Sequence, residues 1–138
     1  MLRLLYASVC TLDPTEAEAE VRSIVDISVR KNAGRGITGA FIYSGRHFAQ
    51  ALEGEEREVE KLMASIRSDA RHCELRMIDK DNNLSRRFSG WSLAYQGQAS
   101  YVDKPIERLW GAKSANARLR LSFEIYRIML AFAHEIQS

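Results

Sequence analysis

Three side chains in this sequence pair a polar group with an apolar neighbourhood: Tyr6 in LLYAS, Asn32 in KNAGRG and Gln50 in HFAQALEG. Alternate residues of an extended strand share a face. Gln50 therefore points the same way as Phe48 and Leu52, while His47, Ala49, Ala51 and Glu53 point the other way. A carboxamide carries two donors and an acceptor, and leaving it buried without partners costs roughly 1–3 kcal/mol. Gln50 is satisfied either by backbone groups, as an ordinary core glutamine, or by polar groups that converge on its face. A phenol and a second amide are such groups. None of the three is a good nucleophile or base, so together they suit binding: an apolar slot for a planar heteroaromatic ligand with imide-like edges.

The elements that must position them are set by turn and period signals. Ser44-Gly45 separates two apolar runs, which predicts a β-hairpin with strands near 37–43 and 47–53. Residues 2–8 carry apolar side chains on both faces, as expected for a strand covered on both sides. Asp13-Pro14-Thr15-Glu16 reads as a helix start, with Asp13 as N-cap and Pro14 at the first helical position. Ala17, Val21, Ile24, Val25 and Ser28/Val29 keep the helical period to about Lys31, and the glycines of Asn32–Gly36 end it. A second helix begins at Glu55, with a stripe of Val59, Leu62, Met63 and Ile66, and ends near Asp69–Arg71. Strands near 73–79 and 88–95, joined by the polar loop Asp81-Asn82-Asn83, complete the core. The class is α+β: a ferredoxin-like βαββαβ sandwich with an extra strand. Its first and third strands are central neighbours, which would let Tyr6 and Gln50 meet beneath the two helices while Asn32 overhangs the same edge.

Beyond Gln96 the character changes. Pro105 opens a short helix with Ile106, Leu109 and Trp110, and residues 115–136 form a longer one. That helix has two apolar stripes, one through Leu119, Phe123, Tyr126 and Leu130, the other through Leu121, Ile125, Ile128, Met129 and Phe132. One stripe can cover the opposite sheet face; the other then calls for a second chain or a partner. The expected organisation is a core over 1–96 and a helical extension over 97–138 for output or oligomerisation.

Composition narrows the class. The chain has 138 residues, 46% hydrophobic and 28% charged, which suits one ordinary core. A net charge of +2, with 20 basic residues interspersed among 18 acidic ones, gives no footprint for nucleic acid. Arg86-Arg87 and the Arg118/Arg120 pair read as solvated or anion-contacting surface. No apolar run approaches a membrane span, and MLRLLYASV turns polar too soon for a signal peptide, so a cytoplasmic protein is expected. Cys10 and Cys73 form no CxxC and have no histidines at zinc spacing; no metal site is expected.

At these residues the sequence resembles the BLUF family, blue-light sensors that use FAD. The resemblance covers about residues 1–96. It is carried by LLYAS, by KNxxxGITGxxxYxxxxFxQxLEG, by SDARH and by RRFSGWS in that order and spacing. It implies a flavin held between the two helices, with FMN or riboflavin as possible substitutes for FAD. Gln50 matches the family's switch glutamine, Tyr6 its photo-oxidised tyrosine and Asn32 the residue that bonds the flavin imide edge. Lys31, Asp69 and Arg71 fall where members place polar contacts to the ring edge, ribityl chain or phosphates. Ile24, Ile37, Phe48 and Ile66 would be apolar walls, positions that any core would also fill this way. Trp91 and Leu93 fall where the family usually carries Trp-x-Met. Leu93 in place of Met removes a flexible, polarisable side chain, and Trp91 reads either as a signalling residue or as a core aromatic. Ser65 stands where some members place a phosphate-facing Arg.

The resemblance implies a photoreceptor and not an enzyme, in which light drives electron and proton transfer from Tyr6 and rearranges the Gln50 hydrogen bonds. About 40 helical residues after the core leave no room for a cyclase or phosphodiesterase domain, so the expected partners are a separate effector protein and further copies of the chain. Two other readings are an acylphosphatase-like enzyme, which lacks a Gly-rich phosphate loop after the first strand here, and an oligomeric regulator that binds a non-flavin metabolite.

Overall fold

The computed structural model describes residues 1–82 and 85–137. Strand β1 (Leu2–Cys10) leads into helix α1 (Pro14–Arg35), the hairpin β2 (Thr38–Tyr43) and β3 (His47–Gly54), helix α2 (Glu56–Arg67) and strand β4 (His72–Asn82). The sheet order is β2-β3-β1-β4, and every pairing is antiparallel. This is the expected ferredoxin-like arrangement with β1 and β3 at the centre. Two further helices, α3 (Asp103–Gly111) and α4 (Ala115–Gln137), pack on the other sheet face, as expected.

Local chemistry sets the boundaries. The Asp13 carboxylate accepts from the Thr15 N–H at 3.0 Å, and Pro14 fills the first turn of α1 where no donor is missed. Gly36 adopts φ 67°, a left-handed conformation that lets the Ile37 N–H reach the Asn32 carbonyl at 3.0 Å and turns the chain into β2. The helix thus runs four residues past Lys31, and Asn32 sits in its last turn. At Gly39 a Cβ would lie 2.0 Å from the Ala51 carbonyl oxygen, so only glycine allows β2 and β3 to come this close.

Strand alternation divides the core. Leu5, Ala7, Ala40, Ile42, Ala49 and Ala51 face α3 and α4, where Ile106, Ile125 and Met129 are fully buried against them. On the other face α2 covers Leu2, Leu4, Tyr6 and Leu52, whereas α1 covers Phe41, Tyr43 and Phe48. Gln50 lies between these two clusters. Of the two α4 stripes, the buried one carries Leu121, Ile125, Met129 and Phe132 together with Tyr126, while Leu119 and Phe123 remain about half exposed at 51% and 52%.

The strand expected over 88–95 is not formed. Gly90, at φ 87°, is the third residue of a turn closed by the Trp91 N–H and the Phe88 carbonyl, and this turn breaks the extended backbone. The segment from Trp91 to Ala94 only lies along the free edge of β2. The Gly39 N–H donates to the Trp91 carbonyl at 3.0 Å, and the Phe41 N–H to the Ala94 carbonyl at 2.8 Å. β4 is longer than expected and takes in Asp81 and Asn82 of the supposed loop, whose Asn83 lies outside the described residues.

Arg86 and Arg87, expected as solvated or anion-contacting surface, are half-buried and bound within the protein. Arg86 donates to the Gly36 carbonyl (2.8 Å), the Glu53 carbonyl (3.1 Å) and Thr38 Oγ1 (2.9 Å). Arg87 lies over the Tyr126 ring at 4.8 Å. The centre of this arrangement is Glu53, which has no exposed surface. Its carboxylate accepts from the Arg87 N–H at 2.6 Å, the Phe88 N–H at 2.9 Å and Thr38 Oγ1 at 2.8 Å. A buried carboxylate is tolerable because three donors converge on it.

Candidate functional site

Tyr6 and Gln50 are directly opposed across the central strand pair. The Tyr6 hydroxyl donates to Gln50 Oε1 at 2.6 Å, and both side chains are buried. Burial, with the Asp69 carboxylate adding to it, pushes the Tyr6 phenol far above its ordinary value, so it stays a donor throughout the working pH range. With Oε1 occupied by Tyr6, Gln50 lines a cavity of about 170 Å³ between α1 and α2.

The cavity brings together nine of the residues singled out from the sequence. Tyr6, Phe48 and Gln50 come from the sheet, Ile24, Lys31 and Asn32 from α1, and Ile66, Asp69 and Arg71 from α2 and the loop after it. Asn32 is buried and spends its amide nitrogen on the Ser92 carbonyl at 2.9 Å, which keeps its oxygen for the slot. Asp69 and Arg71 bind each other through contacts of 2.9 Å (Nε to Oδ1) and 2.6 Å (Nη2 to Oδ2). Hydrogen bonds from Arg71 hold the Asp69 carboxyl below its ordinary range, and Asp69 in turn raises the Arg71 guanidinium. Ser65 also lines the cavity.

Three expected site residues lie elsewhere. Ile37 packs under α2 with Leu2, Leu4 and Val59, because it precedes β2 and turns toward that cluster rather than toward the slot. Trp91 packs against the α3–α4 core on the opposite sheet face. Leu93 is buried against Phe41, Phe48 and Val21 beneath α1, near the slot but not in its wall. Trp91 and Leu93 thus face opposite sides of the sheet edge, with the Asn32-bound Ser92 between them.

Sequence reasoning missed Ile27, Ser28, Phe41, Leu62 and His72 as parts of the wall. Ser28 and Leu62 lie on the apolar stripes of their helices, and Phe41 shares the face of Gln50 on the paired strand, so all three were accessible to period arguments. His72 carried no such signal. It bridges Ser8 Oγ (2.7 Å) and the Ile66 carbonyl (2.6 Å), a pairing that only the tertiary structure creates.

The model for the BLUF family, described as sensors of blue light using FAD, matches residues 1–94. The chain belongs to the BLUF family and is a blue-light flavin sensor domain. Among similar proteins is the blue light- and temperature-regulated antirepressor BluF of Escherichia coli (strain K12), 33% identical over 73 residues, or 53% of this chain and 18% of that protein. Among solved structures, the dark state of the BLUF protein BlrB superposes with a TM-score of 0.68 at 31% identity, covering 87% of this chain and 92% of that one. BlsA in its ground state gives a TM-score of 0.74 at 26% identity over 94% and 87%. The chain spans less than a fifth of the length of the curated relatives it matches.

The donor set fits the edge of a flavin. An imide edge offers two carbonyl acceptors around one N–H donor, and two amide side chains, Gln50 and Asn32, are among the lining residues, with donors and acceptors of the matching kinds. Ile24, Phe48, Leu62 and Ile66 supply apolar walls for a flat ring system. Lys31 and Arg71 place two cationic side chains in the same lining.

Proposed function

We propose that this chain holds FAD without a covalent bond in the slot between α1 and α2, and that it reports blue light to a separate effector protein. The observation that carries this reading is the 2.6 Å bond from the Tyr6 hydroxyl to Gln50 at the floor of the slot. Asn32 would meet the imide edge, and Lys31, Asp69 and Arg71 the ring edge, ribityl chain and phosphates. Ile24, Phe48 and Ile66 would enclose the ring. With Ser65 in the lining in place of a further cation, FMN and riboflavin would compete with FAD.

A bound flavin supplies the absorption of blue light and, while excited, strong oxidising power. Tyr6 would give up an electron from its phenol, and as its proton moves along the Oη–H···Oε1 bond the Gln50 nitrogen would release one toward the slot, so the amide stays neutral. The glutamine amide donates at one end and accepts at the other, so it can settle in a rotated or tautomeric form. In that form the hydrogen bonding between Tyr6 and Gln50 is reversed and a different edge faces the slot. Electron and proton then return to Tyr6. No substrate is consumed, and the chain acts as a switch and not as an enzyme.

The change at Gln50 and Asn32 would reach the segment held through the Ser92 carbonyl. Leu93 on one side of that segment and Trp91 on the other would carry it from the slot to the α3–α4 face. Residues 1–96 form the sensor in this reading, and residues 97–138 the output and self-association element. The exposed Leu119 and Phe123 give that element an apolar surface for a second copy or for the effector. Light then shifts the population between two packings of these helices. No described helix is long and apolar enough to cross a membrane, and we place the protein in the cytoplasm with its effector.

The test is reconstitution. Purified protein is titrated in the dark with FAD, FMN and riboflavin and then illuminated. Saturable binding of one flavin per chain, with a reversible light-induced red shift, is expected. Failure to bind any of the three would overturn the reading.

A further inference from the structure

His72 takes no part in the electron and proton transfer between Tyr6 and Gln50, yet it stands in the wall of the slot beside the phenol that is oxidised. Its ring meets the Tyr6 ring edge-on, with centroids 6.1 Å apart at 65°, and lies 6.1 Å from Phe48. Both ring nitrogens are engaged. The Ile66 carbonyl can only accept, so Nε2, at 2.6 Å, must carry a hydrogen. In the neutral ring Nδ1 is therefore bare and accepts from the Ser8 hydroxyl at 2.7 Å. Ser8 has no exposed surface and sits two residues from Tyr6 on the same face of β1.

A hydroxyl is donor and acceptor at once and can rotate. When Nδ1 gains a proton, Ser8 Oγ accepts from it, and both nitrogens stay bonded in either charge state. The carbonyl at the C-terminal end of α2 favours a cation there. The charged and titratable groups facing the ring are Asp69 and Arg71 in the loop after α2, Cys10 and Tyr6 on β1, and Lys31 across the slot on α1. Asp69 is a carboxylate at neutral pH, its pKa lowered chiefly by Arg71, and Arg71 has a second acidic neighbour, Glu20, at 4.0 Å.

We infer that His72 is a positioning residue for the photoreaction: it fixes the Tyr6 ring, and through the Ser8 hydroxyl it takes up a proton that tunes how readily Tyr6 yields charge. The inference rests on the reading of Tyr6 as the group that light oxidises. A cation next to the phenol opposes removal of an electron from it, so the yield of the red-shifted state per absorbed photon should fall as His72 is protonated.

The experiment measures that yield in flavin-loaded protein from pH 5 to 8. Beside it, ¹⁵N NMR of flavin-free protein reports the His72 tautomer. The expected results are a one-proton drop in yield of at least about threefold toward low pH and a bare Nδ1 at high pH. His72→Gln, which keeps one donor and one acceptor, should still red-shift but with a pH-independent yield. His47→Gln should keep the step. A pH-independent yield in the unmutated protein, a step that survives in His72→Gln, or a protonated Nδ1 with a bare Nε2 would overturn the inference while the red shift itself persists. Loss of the red shift from the unmutated protein would instead refute the reading on which the inference rests.

Discussion

Replacing Glu53 with alanine tests how the sheet holds the segment between β4 and α3. Glu53 is on the α4 side of β3, three residues from Gln50, and its carboxylate takes the backbone N–H groups of Arg87 and Phe88 and the hydroxyl of Thr38. Hydrogen bonds to a charged group contribute about 1.5–3 kcal/mol each. The two backbone donors have no substitute acceptor in Glu53→Ala, so the expected loss is about 3–6 kcal/mol if both stay buried. Against a typical total of about 5–15 kcal/mol, that is a large fraction. Glu53→Gln keeps one accepting oxygen but turns an N–H₂ toward the remaining donors, and should cost less than the alanine change. Urea unfolding gives both values. If the segment undocks locally instead of the whole chain weakening, hydrogen exchange at Arg87 and Phe88 will rise first and the global loss will be smaller. A Glu53→Ala protein within about 0.5 kcal/mol of the parent, with Arg87 and Phe88 amides still protected, would show that the carboxylate does not hold this segment.

Gly39→Ala should be more damaging than its size suggests. The new methyl would meet the Ala51 carbonyl oxygen at 2.0 Å, which forces β2 off β3, and a loss of about 3 kcal/mol or more is expected in thermal or urea unfolding. Asp69 provides a pH test. Its folded pKa lies below the ordinary value because Arg71 bonds the carboxylate, so the folded state holds fewer protons than the unfolded one. Its contribution is present above the ordinary carboxylate range and is lost as pH falls through the folded value. Asp69→Asn should therefore flatten the acid limb of stability against pH, and an unchanged limb would show that the pair with Arg71 contributes nothing.

The topology was legible in the sequence because its signals were local and agreed with one another. Ser44-Gly45 fixed the hairpin, Asp13-Pro14 the start of α1, and strand alternation the face of Gln50; the ferredoxin-like order then put Tyr6 opposite it. The features that stayed hidden depended on contacts distant in sequence. The run FSGWSLAY looks like a strand, but Gly90 and the few bonds available along the edge of β2 leave it irregular. Arg86 and Arg87 look like surface until Glu53, more than thirty residues earlier, takes the Arg87 and Phe88 N–H groups on its carboxylate and an Arg86 guanidinium N–H on its carbonyl. Trp91 and Leu93 are two apart, yet because no regular strand carries them they lie on opposite faces. His72 joined the site through partners on β1 and α2 that no spacing rule links.

If the Gln50 amide, held by Tyr6, is the light-driven switch, its removal must abolish the spectral change without emptying the slot. The deciding measurement is the light-minus-dark absorption of three proteins at equal flavin loading: the unmutated chain, Gln50→Leu and Tyr6→Phe. A red shift that recovers in the dark is expected for the unmutated chain alone, with flavin retained by both variants. A Gln50→Leu protein that shifts and recovers as the parent does would rule out Gln50 as the switch.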